Sequence, residues 1–189
     1  VKEASNGNGD VFNSMKINGI LDNMKKKNIK WVSFCGVDNV ILDIVDPLFL
    51  GLTIAHNKLI ASKTLFKKDV NDKDWIFVRK NGKPAIIDCN YLSSEMKIAT
   101  DENGKYLYRE TNMLAHLFNI SAIEKVCNEK LIYHRAFKKN NFVNEEGMKQ
   151  VPEKPNTFKF ETFIFDAFSL FNDIELLRVN EEDEFAPIK

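Results

Sequence analysis

The 189-residue chain carries 27 Lys and Arg against 27 Asp and Glu, so it has no net field to hold a polyanion, and no nucleic-acid partner is expected. Its 44% hydrophobic content suits one ordinary domain around a buried sheet and excludes a disordered chain. Three cysteines lack metal-site spacing, no run approaches the ~20 apolar residues of a membrane helix, and no basic-then-apolar leader opens the chain; a cytoplasmic, reducing setting with no membrane partner is expected.

The chain opens on the loop Asn6-Gly7-Asn8-Gly9-Asp10 and ends on Pro187-Ile188-Lys189; both are expected to be cut ends of something longer. Asp10 is a candidate N-cap for a helix over residues 11–27, where Val11, Met15, Ile20, Leu21 and Met24 share a face. Residues 30–37 are short, apolar and β-rich and stop at Asp38-Asn39, as a buried strand ending in a polar turn does. Residues 40–45 fit helix or strand equally, and Asp46-Pro47 starts a helix with Pro in its first turn.

Residues 59–63 predict a strand and 67–73 an exposed charged loop. Residues 75–79 and 85–89 flank Lys80-Asn81-Gly82-Lys83, an Asn-Gly hairpin signal. Asp101 to Gly104 predict a turn, Tyr106-Leu107-Tyr108 a strand, and Ser121 the cap of a helix carrying Ile123 and Val126. Residues 140–155 are polar with Gly and Pro, hence a loop. Residues 158–171 hold six phenylalanines, expected as core in a buried helix with strand-like edges, and Asp166 among them needs a partner. Residues 175–179 predict a final strand, and the carboxylates of residues 181–184 are expected to face water. Strands alternating with helices predict an α/β domain with a mixed, mainly parallel sheet.

Two constellations carry chemistry. Gly7-Asn8-Gly9-Asp10 lets backbone approach a ligand closely ahead of a helix, although Asn-Gly pairs alone read first as turns. Asp38, at the carboxyl end of a strand, could hold Mg²⁺ through one oxygen while phosphates complete the shell, or could be a turn or cap residue. His116 and His134 are expected in structural roles.

In order along the chain, Gly-Asn-Gly-Asp is followed by Asp22-Asn23-Met24, Asn28-Ile29-Lys30, Val37-Asp38-Asn39-Val40 and Val45-Asp46-Pro47-Leu48-Phe49. Further on come His116 and Phe118, Tyr133-His134 with Lys138-Lys139, Phe163-Ile164-Phe165-Asp166-Ala167-Phe168, and Glu182-Asp183-Glu184-Phe185-Ala186-Pro187-Ile188-Lys189. Together these resemble the central stretch of eukaryotic-type UDP-N-acetylglucosamine pyrophosphorylases over nearly the whole chain. The resemblance implies a Rossmann-like nucleotidyltransferase domain that joins UTP and N-acetylglucosamine 1-phosphate into UDP-N-acetylglucosamine and pyrophosphate with Mg²⁺.

Residue by residue, the resemblance implies that Gly7 contacts the nucleotide, Asn8 the sugar and Asn112 the N-acetyl region. Asp38 would serve the nucleotide or metal, and Lys159 and Lys189 the phosphates. Asp88-Cys89 stands where the family has Glu-Tyr against the substrate; Thr111 replaces a Gly, and the run at Trp75-Ile76-Phe77 lacks one. These departures leave a pyrophosphorylase for glucose or galactose 1-phosphate as an alternative. The family's Gly-Gly-x-Gly-Thr-Arg signature does not occur in this sequence. The chain is therefore expected to be the carboxy-terminal half of a catalytic domain, inactive alone, or part of a non-catalytic nucleotide-sugar-binding paralogue.

Overall fold

The computed structural model describes residues 3–71 and 74–188. Residues 11–27 form two helices, α1 (Val11–Ile17) and α2 (Ile20–Lys26), where one was expected. Gly19 between them takes φ +67°, which glycine adopts without steric cost, and the chain turns there. Asp10 does not cap α1: a 3₁₀ turn over Asn8–Asp10 already starts the coil, and the Asp10 carboxylate meets the Asn13 side chain instead.

Strand β1 (Trp31–Cys35) leads through the irregular residues 36–45 to α3 (Pro47–Ala55) and then β2 (Ile60–Phe66). As expected, α3 starts at Asp46-Pro47, with Asp46 Oδ1 accepting from the Phe49 N–H at 3.0 Å. The hairpin of β3 (Trp75–Lys80) and β4 (Lys83–Asp88) turns on Asn81 and Gly82, both at positive φ, the type I′ geometry that Asn-Gly favours. A 3₁₀ turn (Cys89–Tyr91) and α4 (Ser94–Ile98) follow.

The central strand is β5 (Glu110–Asn119), which sequence patterning did not predict; residues 106–108 contribute only an isolated bridge, Thr100 to Tyr106. Helix α5 (Ile120–Val126) is capped by Asn119, whose side chain accepts from the Ser121 N–H at 3.0 Å, rather than by Ser121. Two small ribbons come next, β6 (His134–Lys138) with β9 (Thr157–Glu161), and β7 (Phe142–Val143) with β8 (Lys149–Gln150). A 3₁₀ helix (Ile164–Leu170), β10 (Glu175–Arg178) and α6 (Glu181–Glu184) complete the order. The phenylalanine run thus divides: Phe158 and Phe160 stay exposed on β9, and Phe165, Phe168 and Phe171 enter the core.

The main sheet runs β10-β2-β5-β3-β4, with β1 also on β5. It is mixed, yet the expected dominance of parallel pairing is not found: among the described residues only β10 with β2 is parallel in this sheet. The cause is β5. Strands β1 and β2, joined by α3, do run parallel to each other as a βαβ unit should, but β5 lies between them and pairs antiparallel with both.

Both faces of the sheet are covered. One carries Phe12 of α1, Ile123 of α5 and Phe168, with the Phe12, Phe34 and Phe118 rings 5.4–5.6 Å apart. The other carries Phe49 of α3 on Ala61 and Leu117. Two-sided burial explains why β5 reads poorly: residues 115–118 are all buried, so no alternation marks them. Lys67, expected on an exposed loop, is also buried, its N–H donating to the Arg109 carbonyl at 2.8 Å. No helix among the described residues is long and apolar enough to cross a membrane.

Candidate functional site

Along one edge β5 pairs with β2 over most of its length. The other edge is shared by β3 at Thr111 and β1 from Ala115 onward. Leu114 lies in the gap, at φ +56°, with its N–H donated to Asn112 Oδ1 at 3.0 Å and its carbonyl accepting from Gly36 N at 3.0 Å. The opposite edge is bulged between Ser62 and Thr64. The sheet is therefore forked at Leu114, held open by the Asn112 side chain.

The loop of residues 6–10 lines one cavity with Leu114 and rests on residues 162–164. Thr162 donates its N–H to Asn6 O at 2.9 Å, and Gly9 donates to Thr162 O at 3.0 Å. Gly7 has φ +80°, and a Cβ there would lie 2.2 Å from Thr162 O; one on Gly9 would lie 2.8 Å from the Phe163 backbone. Both glycines are required by this backbone-on-backbone packing. A cavity of about 440 Å³ opens beside the loop, lined by Gly7, Asn8, Ser14, Phe34, Cys35 and Leu114.

Asn8 is exposed, and its Oδ1 accepts from the Ile164 N–H at 2.9 Å. That bond fixes which end of the amide is which. The backbone needs an acceptor, so the side-chain NH₂ is the group left to face a ligand oxygen.

Neither Asp38 nor Lys159 lines this cavity. Asp38 follows β1 by three residues, is exposed, and its carboxylate enters no ion pair among the described residues. Its backbone carbonyl accepts from the Ile188 N–H at 2.9 Å. Lys159 on β9 pairs with Glu161 at 2.7 Å, and the Glu161 Cβ is 3.1 Å from where a Gly7 Cβ would be, so the pair borders the loop. Lys189 lies outside the described residues.

Two expected site residues are not brought to the fork. Cys89 is 2% exposed and packs in the core, so its thiol offers a ligand no surface, contrary to the expected substrate contact. Asp88, across the hairpin from Trp75, has its Oδ1 engaged by the Asn90 backbone and side-chain amides at 2.8 Å. It lines a separate, largely apolar cleft of about 700 Å³ with Trp75, Tyr91, Leu92, His134 and Phe165. A carboxylate one methylene shorter than Glu closes onto its own turn.

The histidines are structural. His116 is 1% exposed, its Nδ1 2.7 Å from Ser62 Oγ, its Nε2 without a hydrogen-bond partner and its ring edge-on to Phe168. Burial pushes its pKa down to about 3. His134 Nε2 meets both Asp166 oxygens at 2.9 and 3.0 Å, and Asp166 also accepts from the Phe163 N–H; this supplies the partner that Asp166 needed.

No group of three or more His, Cys, Asp or Glu side chains among the described residues could hold a metal. The described residues therefore form no all-protein cation cage. Sequence reasoning missed Leu114, Phe34 and Cys35 in the cavity and Ile164 behind Asn8. A left-handed Leu leaves no trace in composition, and a backbone donor none at all.

The family model for UTP–glucose-1-phosphate uridylyltransferase matches residues 2–189. The chain belongs to that family. Among its relatives, the uridylyltransferase-family chain is 31% identical to the UDP-N-acetylglucosamine pyrophosphorylase of Saccharomyces cerevisiae, over 100% of this chain and 41% of that protein. It is 32% identical to UDP-N-acetylglucosamine diphosphorylase 2 of Arabidopsis thaliana, over 100% of this chain and 37% of that protein. A crystal structure from Entamoeba histolytica, assigned as a UDP-N-acetylglucosamine pyrophosphorylase, superposes with a TM-score of 0.89 at 31% identity, covering 98% of this chain and 46% of that one. This member of the family spans about two fifths of the length of the curated relatives it matches.

Proposed function

We propose that the chain supplies the sugar-side part of a uridylyltransferase making UDP-N-acetylglucosamine and pyrophosphate from UTP and N-acetylglucosamine 1-phosphate. The observation that carries this is the cavity that Gly7 and Asn8 line together with Leu114, which the Asn112 side chain braces, with the Lys159–Glu161 pair bordering the same loop, in a chain whose relatives bear that enzyme's name. Three free cysteines fit a cytoplasmic setting.

In the reaction a sugar-phosphate oxygen attacks the α-phosphorus of UTP, the bond to the bridging oxygen of pyrophosphate breaks, and the electron pair leaves with pyrophosphate. An ionised phosphate needs no general base, so the protein positions two anions and offsets their charge. Gly7 admits the nucleotide to the loop backbone, and Asn8 offers its NH₂ to a sugar oxygen. Lys159 exchanges Glu161 for a phosphate oxygen, and Lys189 is assigned to the same side. Mg²⁺, when bound, neutralises phosphate charge, and Asp38 would hold it through a carboxylate oxygen.

A second reading, uridylyl transfer to glucose or galactose 1-phosphate, is favoured by the one observation that Asp88 and Cys89 do not face the fork. Pyrophosphate release by the full-length protein, measured with each of the three sugar phosphates, separates them. N-acetylglucosamine 1-phosphate is expected to give the highest kcat/KM. Equal or better values with glucose 1-phosphate overturn the first reading, and no release with any of them marks a non-catalytic binding module.

A further inference from the structure

Lys63 stands in mid-strand on β2 and is 1% exposed, a position where an ammonium group is kept only if its charge is met. It meets Asp46 at 2.8 Å and Glu184 at 2.5 Å, and it donates to the Asp43 carbonyl at 3.2 Å. Burial pushes the Asp46 carboxyl up, yet Lys63 and the Phe49 N–H together hold it below its ordinary value. Glu184, in a run expected to face water, turns inward for this bond.

The partners of Lys63 belong to two segments that meet again at Asp38. Asp43 and Asp46 close the far end of the loop that begins after β1. Glu184 begins the tail, and its carbonyl accepts from Asn39 Nδ2 at 2.7 Å. Asn39, 8% exposed, returns its Oδ1 to the Ala186 N–H at 2.9 Å, and Ile188 N–H reaches the Asp38 carbonyl. One buried cation thus ties together the same loop and tail that meet again at Asn39 and at the Asp38 backbone.

We infer that Lys63 is a positioning residue: through Asp46 and Glu184 it fixes the loop of residues 36–46, and with it the carboxylate of Asp38. Lys63 touches no ligand in this scheme. The inference rests on the role proposed above for Asp38.

The test uses the full-length protein with Lys63→Met and Glu184→Gln. The second retains a hydrogen-bond acceptor and the carbonyl used by Asn39, so it remains informative if the first does not fold. Hydrogen exchange at the Ala186 and Ile188 amides is expected to speed up while the rest of the protein keeps its protection. The Mg²⁺ concentration for half-maximal rate should rise roughly tenfold, as for loss of an outer-shell partner, with KM for the sugar phosphate unchanged.

Unchanged exchange at Ala186 and Ile188 overturns the inference. So does faster exchange spread evenly through the protein with an unmoved Mg²⁺ requirement, which is what a merely structural ion pair gives. Asp38→Ala run alongside keeps the two ideas apart. A wild-type Mg²⁺ response in that variant removes Asp38 from the metal, and the exchange data still decide whether Lys63 fixes the loop.

Discussion

Acidification should destabilise this fold through one side chain, His116. With its folded pKa pushed down to about 3, it stays neutral in the core at any pH above that value, whereas the unfolded chain takes up a proton below ~6.5. The folded pKa is the lower one, so the stabilisation is fully present above ~6.5 and is lost as pH falls from there toward 3. Between pH 7 and pH 5 the linkage amounts to about 2 kcal/mol, and complete burial leaves nothing to discount for solvent screening. Urea unfolding followed by Trp fluorescence at pH 7, 6 and 5 reads it, comparing the wild type with His116→Gln. The window stays above the range in which carboxylates such as Asp46 gain protons. The variant is expected to lose about 2 kcal/mol less than the wild type over those two pH units. Parallel losses in the two proteins refute a neutral, unprotonatable His116.

Other changes test the fork directly. Gly7→Ala puts a Cβ 2.2 Å from Thr162 O at a φ of +80°, and should cost about 2 kcal/mol or more, seen as a lowered Tm with weakened nucleotide binding by calorimetry. Asn8→Asp keeps the acceptor for Ile164 N–H but replaces the NH₂ by a carboxylate oxygen. An unchanged Tm with KM for the sugar phosphate raised roughly tenfold is expected, and an unchanged KM shows that Asn8 only braces the loop. Lys159→Ala should lower kcat by the equivalent of about 2–4 kcal/mol, while Glu161→Gln, which frees the ammonium, should not.

What the sequence disclosed followed from chemistry that acts locally. Asn81-Gly82 dictates its hairpin and Asp46-Pro47 its helix start, since backbone dihedrals and one capping bond suffice. Gly19 was present in the pattern of residues 11–27, but whether a glycine turns the chain or is carried through depends on what packs beyond it. Strand direction was out of reach for the same reason: the βαβ unit of β1, α3 and β2 was visible, and the intrusion of β5 between its strands was not. Of the residues that ordered motifs singled out, Gly7 and Asn8 line the cavity. Burial of Cys89, inward rotation of Glu184 and the left-handed Leu114 are tertiary outcomes. One signal went unused: a lysine inside the apolar run Ile60-Ala61-Ser62-Lys63-Thr64-Leu65 implies a buried partner.

The stitches around the fork join residues far apart in the chain. Asn8 waits for Ile164, 156 residues on, and Asn39 for Ala186, 147 residues on. Contacts of such separation close late, because the loop entropy they forfeit is repaid only once the intervening sheet exists. The cavity is therefore expected to be the last part of this unit to acquire its shape, since the glycine loop docks on residues 162–164 that are made about 150 residues later. Substitutions that slow the docking of the tail should reduce the yield of folded protein more than they reduce its stability once formed.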